Sequence, residues 1–366
     1  MNTDVLPTHT KALFDAAVQR AAELLRAGEV VALPTETVYG LAANALDEKA
    51  VAKIYAIKGR PAHNPIIIHV ASTDLAKRCA AEWPLLADKL TAAFWPGPLT
   101  LVLPRSEKIP DNVTAGGATV GVRWPSHPFM QAVIRECGFP LAAPSANLSN
   151  YISPTNAEHV RQQLDGKLRL IVDGGQSQVG IESTVLDLTA APPQVLRPGM
   201  IHEETLVAVC GEIQNSKFKI QNSDLRSPGL LKKHYSPKAR LVVMHWAGDA
   251  DLRQQLETRN SKLETSHLLA HTNIPSVAGF ASVSVIPHDA EAFARALYAE
   301  LHRCDAAGAE LIVVEELPQT SEWQAIADRL RRASAECLCG RGGGKFRVSS
   351  FEFRVAGADP HHPPNA

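Results

Sequence analysis

Apolar positions along the chain follow two periods. In "KALFDAAVQRAAELLRA" (11–27), Leu13, Ala17, Ala21, Leu24 and Leu25 share one helical face, and Gly28 supplies a stop. "EVVAL" (29–33) then predicts a strand ending at Pro34. A second helix is predicted over 48–58, capped by Asp47, with Val51, Ile54 and Ile57 turned inward. "PIIIHV" (65–70) is an unbroken apolar run, as in a strand buried on both faces. Further strands are predicted at 99–103, 118–123, 140–143, 168–172, 183–188 and 194–197, and helices at 85–94, 127–136 and 155–164. Helix and strand alternate, so the expected class is α/β with a largely buried, mixed sheet.

After about residue 202 the pattern changes. Residues 211–239 contain "NSKFKIQNSDLRSPGLLKKHYSP", which is polar and follows neither period. Connections of this length are usually functional or disordered. From "RLVVMHW" at 240 a smaller α/β pattern resumes, with a helix at 289–304, a strand at 310–317 and a helix at 321–334. "GRGGGK" (340–345) lacks the register of a phosphate-binding Walker loop and reads as flexible chain. The expected organisation is a first domain over 12–205, a linker over 206–239, a small domain over 240–338 and a tail over 339–366.

Composition narrows the classes. The 366 residues are 45% hydrophobic, enough for a packed core. With 37 basic against 38 acidic residues the chain has no general grip on nucleic acid or anionic membrane, although a local basic pocket is compatible with that balance. The six cysteines show neither metal-site nor disulfide spacing. No apolar run reaches the roughly 18 residues of a membrane span, and no leader-like apolar segment stands at the N-terminus, so the cytoplasm is the expected location.

Candidate chemistry sits at the strand ends. "PTETVYGL" (34–41), "KGRPAHNP" (58–65), "TVGVRWP" (119–125), "APSANLSNYISPT" (143–155), "GIEST" (180–184) and "LRPG" (196–199) share small polar residues, prolines and single cations. Ligands of α/β folds bind on such loops, and arginines with hydroxyls suit a phosphate and a small zwitterion. Each segment also has a structural reading. Lys58 and Arg60 can offset a helix dipole, Arg123 can pack on Trp124, "PSANLS" can be a capped turn, and His69 can be a hydrogen-bonded core histidine. Pro61 and Pro65 stiffen the loop carrying Arg60, which lowers the entropy lost in aiming it. Residue chemistry alone thus predicts an anion-binding α/β enzyme.

Taken in order, "LPTETVYGLAANA", "KIYAIKGRPAHNPIIIHV", "FWPGPLTLVL", "VGVRWPSHP", "APSANLS", "SPT", "DGG", "ESTVLDL", "VLRPG" and the linker's "SPGLLKKHYSP" resemble the YrdC-type threonylcarbamoyl-AMP synthases in their long form with a C-terminal domain. The resemblance implies a twisted mixed sheet around a concave basic cavity, followed by a smaller Rossmann-like domain. It implies synthesis of L-threonylcarbamoyladenylate and pyrophosphate from L-threonine, bicarbonate and ATP with Mg²⁺, the product passing to a tRNA threonylcarbamoyl transferase complex. By motif it implies Lys58 and Arg60 as catalytic. It implies Arg60, Asn64, Thr119, Ser145, Asn147, Ser153, Arg197 and His234 or Tyr235 at ATP, and Thr37, His69, Arg123, Ala143 and Ser183 at threonine. It also implies that residues 225–238 close over the nucleotide. Where family members commonly carry glycine, this chain reads "SNYISPT", and Asn150 is expected to take the left-handed conformation.

Two other classes were weighed. An RNA-binding module needs a basic, aromatic-interleaved face that this neutral chain lacks, so stable nucleic-acid binding is not expected. A carbamoyl-transfer maturation enzyme would add zinc-finger cysteines and an acylphosphatase-like segment, neither of which is present.

Overall fold

In chain order the elements are β1 (Asp4–Pro7), α1 (Lys11–Arg26), β2 (Val31–Leu33), β3 (Gly40–Asn44), α2 (Glu48–Lys58), β4 (Ile68–His69), α3 (Thr73–Cys79), α4 (Leu85–Phe94), β5 (Leu99–Pro104), α5 (Asp111–Thr114), β6 (Thr119–Arg123) and α6 (Pro128–Cys137). Then come β7 (Leu141–Ala142), α7 (Ala157–Leu164), β8 (Leu170–Asp173), β9 (Thr184–Asp187), β10 (Gln194–Arg197), α8 (Glu203–Cys210), β11 (Arg240–Met244), α9 (Asp249–Thr258), β12 (Ser266–Ala270), β13 (Ser282–Val285), α10 (Ala290–Ala306), β14 (Leu311–Glu315) and α11 (Gln324–Ala333). This computed structural model describes residues 2–214, 235–259, 261–276 and 279–334.

Strands β1 to β10 form one mixed sheet in the order β1-β8-β2-β3-β7-β4-β6-β5-β9-β10. Strands β11 to β14 form a second, wholly parallel sheet in the order β11-β14-β12-β13. A mixed α/β sheet followed by a small parallel one is the class expected from the sequence.

Local chemistry explains where the elements start and stop. The Thr10 hydroxyl accepts the Leu13 N–H to open α1, and Asp47 accepts the Lys49 and Ala50 N–H groups to open α2. Gly59 ends α2 at φ 60°, in the left-handed region glycine tolerates. In α1 the buried face runs through Ala17, Ala21, Leu24 and Leu25 as predicted, but Leu13 is exposed. Phe14 takes its place, packed edge-on against Phe129 with ring centroids 5.1 Å apart.

"PIIIHV" is buried as expected, yet it pairs in the sheet only over Ile68 and His69. Its other main-chain groups are bonded elsewhere, Ile66 N–H to Val113 and Ile67 C=O to Ala143 N–H. Helix α8 covers residues 203–210, so the chain is still helical where a linker was expected to begin at 206. Of the expected closing segment 225–238, residues 225–234 lie outside the described residues, as does the tail over 339–366.

Among the described residues four apolar clusters order the molecule, the smallest being Ile67, Val102 and Val185. The first fills both faces of the large sheet, with α1, α2 and α6 against it. The small sheet alternates with the period of two that a strand imposes. In β14, Leu311 and Val313 join a cluster with Trp246 and Leu252, while Ile312 and Val314 face α10 and α11. That latter cluster also takes in Val38, Ile152 and Ile181 from the first part of the chain, so one continuous core crosses the seam between the two sheets.

Candidate active site

Nine of the expected residues meet in one cavity. It holds about 540 Å³ of empty space, its open mouth included, and its lining contains Thr37, Arg60, His69, Arg123, Ala143, Ser145, Ser183, Arg197 and Tyr235. Sheet pairing accounts for much of the convergence. Strands β4 and β6 run parallel and set His69 opposite Arg123. β7 carries the chain into Ala143–Ser145, where Ser145 bridges to Gly40. β5 pairs with the start of β9, bringing Ser183 within 2.8 Å of the Thr100 hydroxyl.

Each arginine has a defined seat. Arg60 donates from Nε to Asn64 C=O at 3.0 Å, and from Nη2 to Asn64 Oδ1 and Pro65 C=O, both at 2.7 Å. These are neutral acceptors, so its charge is not offset at contact. Burial lowers its pKa to about 10, which leaves it a cation at neutral pH. Arg123 donates to Thr37 Oγ1 at 2.9 Å and Gly97 C=O at 3.2 Å, and its Nη2 lies 2.7 Å from Glu36 Oε1. Thr37 accepts that bond and donates onward to Thr35 Oγ1, whose own proton goes to Val38 C=O. Arg197 donates to the Ser183 carbonyl at 3.0 Å and hydroxyl at 3.1 Å.

His69 is buried, and burial followed by the Arg123 charge lowers its pKa to about 3. It is therefore a neutral imidazole, and its Nδ1 has no hydrogen-bond partner among the described residues. A buried, unpaired ring nitrogen on a cavity wall is a position a ligand can satisfy.

Five expected residues do not line this cavity. Lys58 is buried beneath it and donates to Ser145 C=O at 2.5 Å, Asn147 C=O at 2.6 Å and Asn147 Oδ1 at 3.2 Å. It neither caps its own helix nor reaches the wall; it fixes the turn that presents Ser145. Burial, then the nearby Arg60 charge, lowers its pKa well below the ordinary value. Asn147 belongs to that same turn, accepting from Ser145 Oγ at 2.5 Å. Asn64 is the seat of Arg60. Ser153 is buried behind the wall and donates to Glu182 Oε1 at 2.6 Å. Thr119 lines a separate small cleft with Pro65, Thr100 and Val185. His234 lies outside the described residues, whereas Tyr235 is fully buried.

Sequence reasoning passed over two carboxylates. Glu182, inside the quoted "GIEST", lines the cavity, and Glu36, inside "PTETVYGL", stands behind Arg123. Burial raises the pKa of Glu36, but Arg123 outweighs it and leaves the group below its ordinary value. At Glu182 burial is likewise outweighed, by Arg329 and then Arg197. The signal was present, since a single acid in an otherwise apolar or hydroxyl-rich stretch needs a partner if it is buried. The wall thus carries mixed charge. At the "SNYISPT" loop, Asn150 takes φ 72°, the left-handed conformation expected of it. Its carbonyl accepts the Ser236 N–H at 2.9 Å and so pins the far end of the linker.

A family profile for Sua5, YciO and YrdC proteins, described as telomere recombination, matches residues 23–199. A second, the threonylcarbamoyl-AMP synthase C-terminal domain, matches residues 201–335. The chain is 41% identical to the threonylcarbamoyl-AMP synthase of Pyrococcus abyssi over 319 residues, 87% of this chain and 94% of that protein. The chain belongs to the Sua5/YrdC family. The Bacillus subtilis threonylcarbamoyl-AMP synthase is also 41% identical, over 91% of this chain and 95% of its own length. Among solved structures, the crystal structure of Pyrococcus abyssi Sua5 complexed with L-threonine superposes with a TM-score of 0.82 at 37% identity, covering 91% of this chain and 98% of that one. Both Sua5 domains are therefore present, and the cavity lies on residues of the first together with Tyr235.

Proposed function

We propose that this protein is an L-threonylcarbamoyladenylate synthase, a nucleotidyltransferase that joins L-threonine, bicarbonate and ATP and releases pyrophosphate. The observation that carries the reading is the meeting of Arg60, Arg123 and Arg197 with Thr37, His69 and Ser183 in one cavity of a Sua5-family chain. These arginines lie far apart in sequence, and their convergence supplies cations for phosphate and carboxylate beside donors and acceptors for a hydroxyl and an ammonium.

In this reading Arg123, held by Glu36 and Thr37, takes the threonine carboxylate. The neutral His69 and the Ala143 carbonyl hold its polar groups. The threonine amine attacks the carbon of CO₂, or of bicarbonate with loss of water, to give a carbamate. The carbamate oxygen then attacks the α-phosphorus of ATP as the bond to pyrophosphate breaks. Arg60 and Arg197 offset the charge that builds on the phosphates. Lys58 acts through the turn that presents Ser145. With a pKa of about 3, His69 stays a neutral imidazole at neutral pH and is too weak a base to take the ammonium proton, which leaves to bicarbonate or water.

Magnesium enters as part of the MgATP substrate. Among the described residues no group of three metal-ligating side chains stands together, and both Glu182 on the wall and Glu36 behind Arg123 are paired with arginines. A carbamate survives briefly in water, so closure by residues 225–238 fits the chemistry. The product would be handed to a tRNA threonylcarbamoyl transferase complex. No helix among the described residues is long and apolar enough to cross a membrane.

The test is incubation with MgATP, L-threonine and bicarbonate while pyrophosphate is followed. Release that requires all three substrates is expected. Release that persists without threonine, or none with all three, overturns the assignment.

A further inference from the structure

Glu182 is the one carboxylate on the cavity wall among the described residues, and its cation comes from the other domain. Arg329, on α11 of the second domain, donates from Nε to Glu182 Oε2 at 2.8 Å and from Nη2 to the Glu182 carbonyl at 3.2 Å. Tyr298, on α10, donates to Glu182 Oε2 at 3.1 Å. The other carboxylate oxygen takes the Ser153 hydroxyl. The guanidinium also lies over the ring of Tyr235, 5.5 Å from its centroid, and the Tyr235 and Tyr298 rings stack with centroids 6.0 Å apart. Arg329 is completely buried. One side chain thus touches two cavity-lining residues that are otherwise 53 positions apart in the chain, and it reaches them from outside the domain that holds the rest of the cavity.

We propose that Arg329 is a positioning residue for the nucleotide end of the site, through which the docked second domain sets the placement of Glu182 and Tyr235. This rests on the synthase reading above. Its cost explains why a merely structural role is a poor account. Burying a guanidinium and a carboxylate together rarely stabilises a fold more than well-packed apolar residues would. Here the pair stands within a continuous apolar core that already joins the domains through Val38, Ile152, Ile181 and Leu297. What the pair adds is direction. The fork of Arg329 holds both the carboxylate and the main chain of Glu182, which fixes the loop immediately before Ser183, and Ser183 in turn seats Arg197. Displacing that loop moves Glu182, Ser183 and Arg197 together, whereas Arg123 and His69 stand on β6 and β4 and are held independently.

The experiment compares wild type with Arg329→Met, Arg329→Lys and the double variant Arg329→Met/Glu182→Gln, each as the full chain. Thermal unfolding is the fold control, and KM for MgATP and for threonine are measured separately by pyrophosphate release. For Arg329→Met we expect KM for MgATP to rise about tenfold or more and KM for threonine to rise clearly less, because of the threonine-side residues only Ser183 moves with that loop. Arg329→Lys keeps the charge but loses the fork and should fall between the two. The groups facing Glu182 are Arg329, Tyr298, Arg197, Tyr235 and Ser153. Without Arg329, burial acts on Glu182 with less opposition, so Arg329→Met should gain an ionisation on the acid side of its pH–rate profile. Glu182→Gln in the same background should abolish that limb.

If Arg329→Met fails to fold, the double variant decides, because position 182 is then neutral and Asp328, which Arg329 also touches, keeps Arg331 and Arg332. A folded double variant with raised KM for MgATP supports the proposal, and one with wild-type KM overturns it. Equal increases in both KM values, or a folded Arg329→Met with wild-type kinetics, also overturn it. Absence of pyrophosphate release from wild type is a different outcome that strikes the synthase reading itself.

Discussion

Two buried carboxylate–arginine pairs flank the cavity, and they face it in opposite senses. In Glu36–Arg123 the arginine lines the wall and the acid stands behind it, both within the first domain. In Glu182–Arg329 the acid lines the wall and the arginine stands behind it, 147 residues away on the second domain. The first pair presents a cation whose direction is set locally, by Thr37 and Gly97. The second presents an anion whose direction depends on whether another domain is docked. The contrast suggests a division of labour in which one end of the site is complete within a single domain and the other end is not.

The comparison breaks most severely at Arg123. Arg123→Met leaves Glu36 buried without its cation, and losing one partner of such a pair costs about 3–5 kcal/mol. Threonine-dependent turnover should fall at least a hundredfold, with a lowered Tm. Arg123→Met/Glu36→Gln should recover most of the stability and little of the turnover, and recovery of both would show that Arg123 touches no substrate.

The seam itself can be pried open from a neutral position. Gly180 has φ +84°, and a Cβ there would come within 2.4 Å of the Ala294 carbonyl oxygen and the Arg295 Cα on α10. Gly180→Ala should cost about 2–4 kcal/mol of stability by forcing the helix away, within the range of backbone strain and overpacking. It should raise KM for MgATP more than KM for threonine, and limited proteolysis should cut near the seam sooner than in wild type. Equal kinetics with a lowered Tm would break the link between docking and the nucleotide end.

A smaller effect is expected at Arg60, whose partners are neutral. Arg60→Ala leaves no buried anion unpaired but orphans the Asn64 Oδ1 and Pro65 carbonyl acceptors, so stability should fall by about 1–3 kcal/mol while kcat falls about tenfold. A large loss of stability with unchanged kcat would remove Arg60 from the chemistry.

The mildest probe is pH. His159 on α7 and His302 on α10 stack across the seam with ring centroids 3.9 Å apart. Burial lowers their pKa values to about 4 and about 3, from 6.5 in an unfolded chain. Because the folded values are depressed, the fold favours the neutral rings. Their contribution is complete above 6.5 and is lost as pH falls toward 4 and then 3. Glu36 and Glu182 are also depressed, so their contributions persist to lower pH, disappearing below the ordinary value of 4.5 as each folded pKa is passed. Stability measured against pH should therefore decline first between 6.5 and 4.5, and His159→Phe/His302→Phe should make that part of the curve shallower, with His69 carrying part of the remainder. An unchanged slope in the double variant would mean that the stacked pair does not carry it.

Much of this was legible without coordinates. Asp47 and Gly28 mark helix ends through contacts two or three residues away, and short range is what a sequence displays directly. Asn150 could be assigned its left-handed turn because few other residue types tolerate it. Strands β1 and β3 and helix α9 escaped notice because short elements with mixed polarity carry little periodic signal. Leu13 was misplaced for a related reason, since the period admits Phe14 nearly as well and only the partner Phe129 decides.

The chain's order of residues determined its class, most of its helices and strands, and the loops on which polar chemistry gathers. These follow from hydrophobic period, caps and turn residues acting over a few positions. Tertiary structure alone decided that Lys58 serves a turn rather than the cavity, that Thr119 faces another cleft, and that Glu182 takes its cation from α11. Each of these is a pairing made favourable by shared loss of water between groups distant along the chain. No local pattern encodes which buried charge will find which partner.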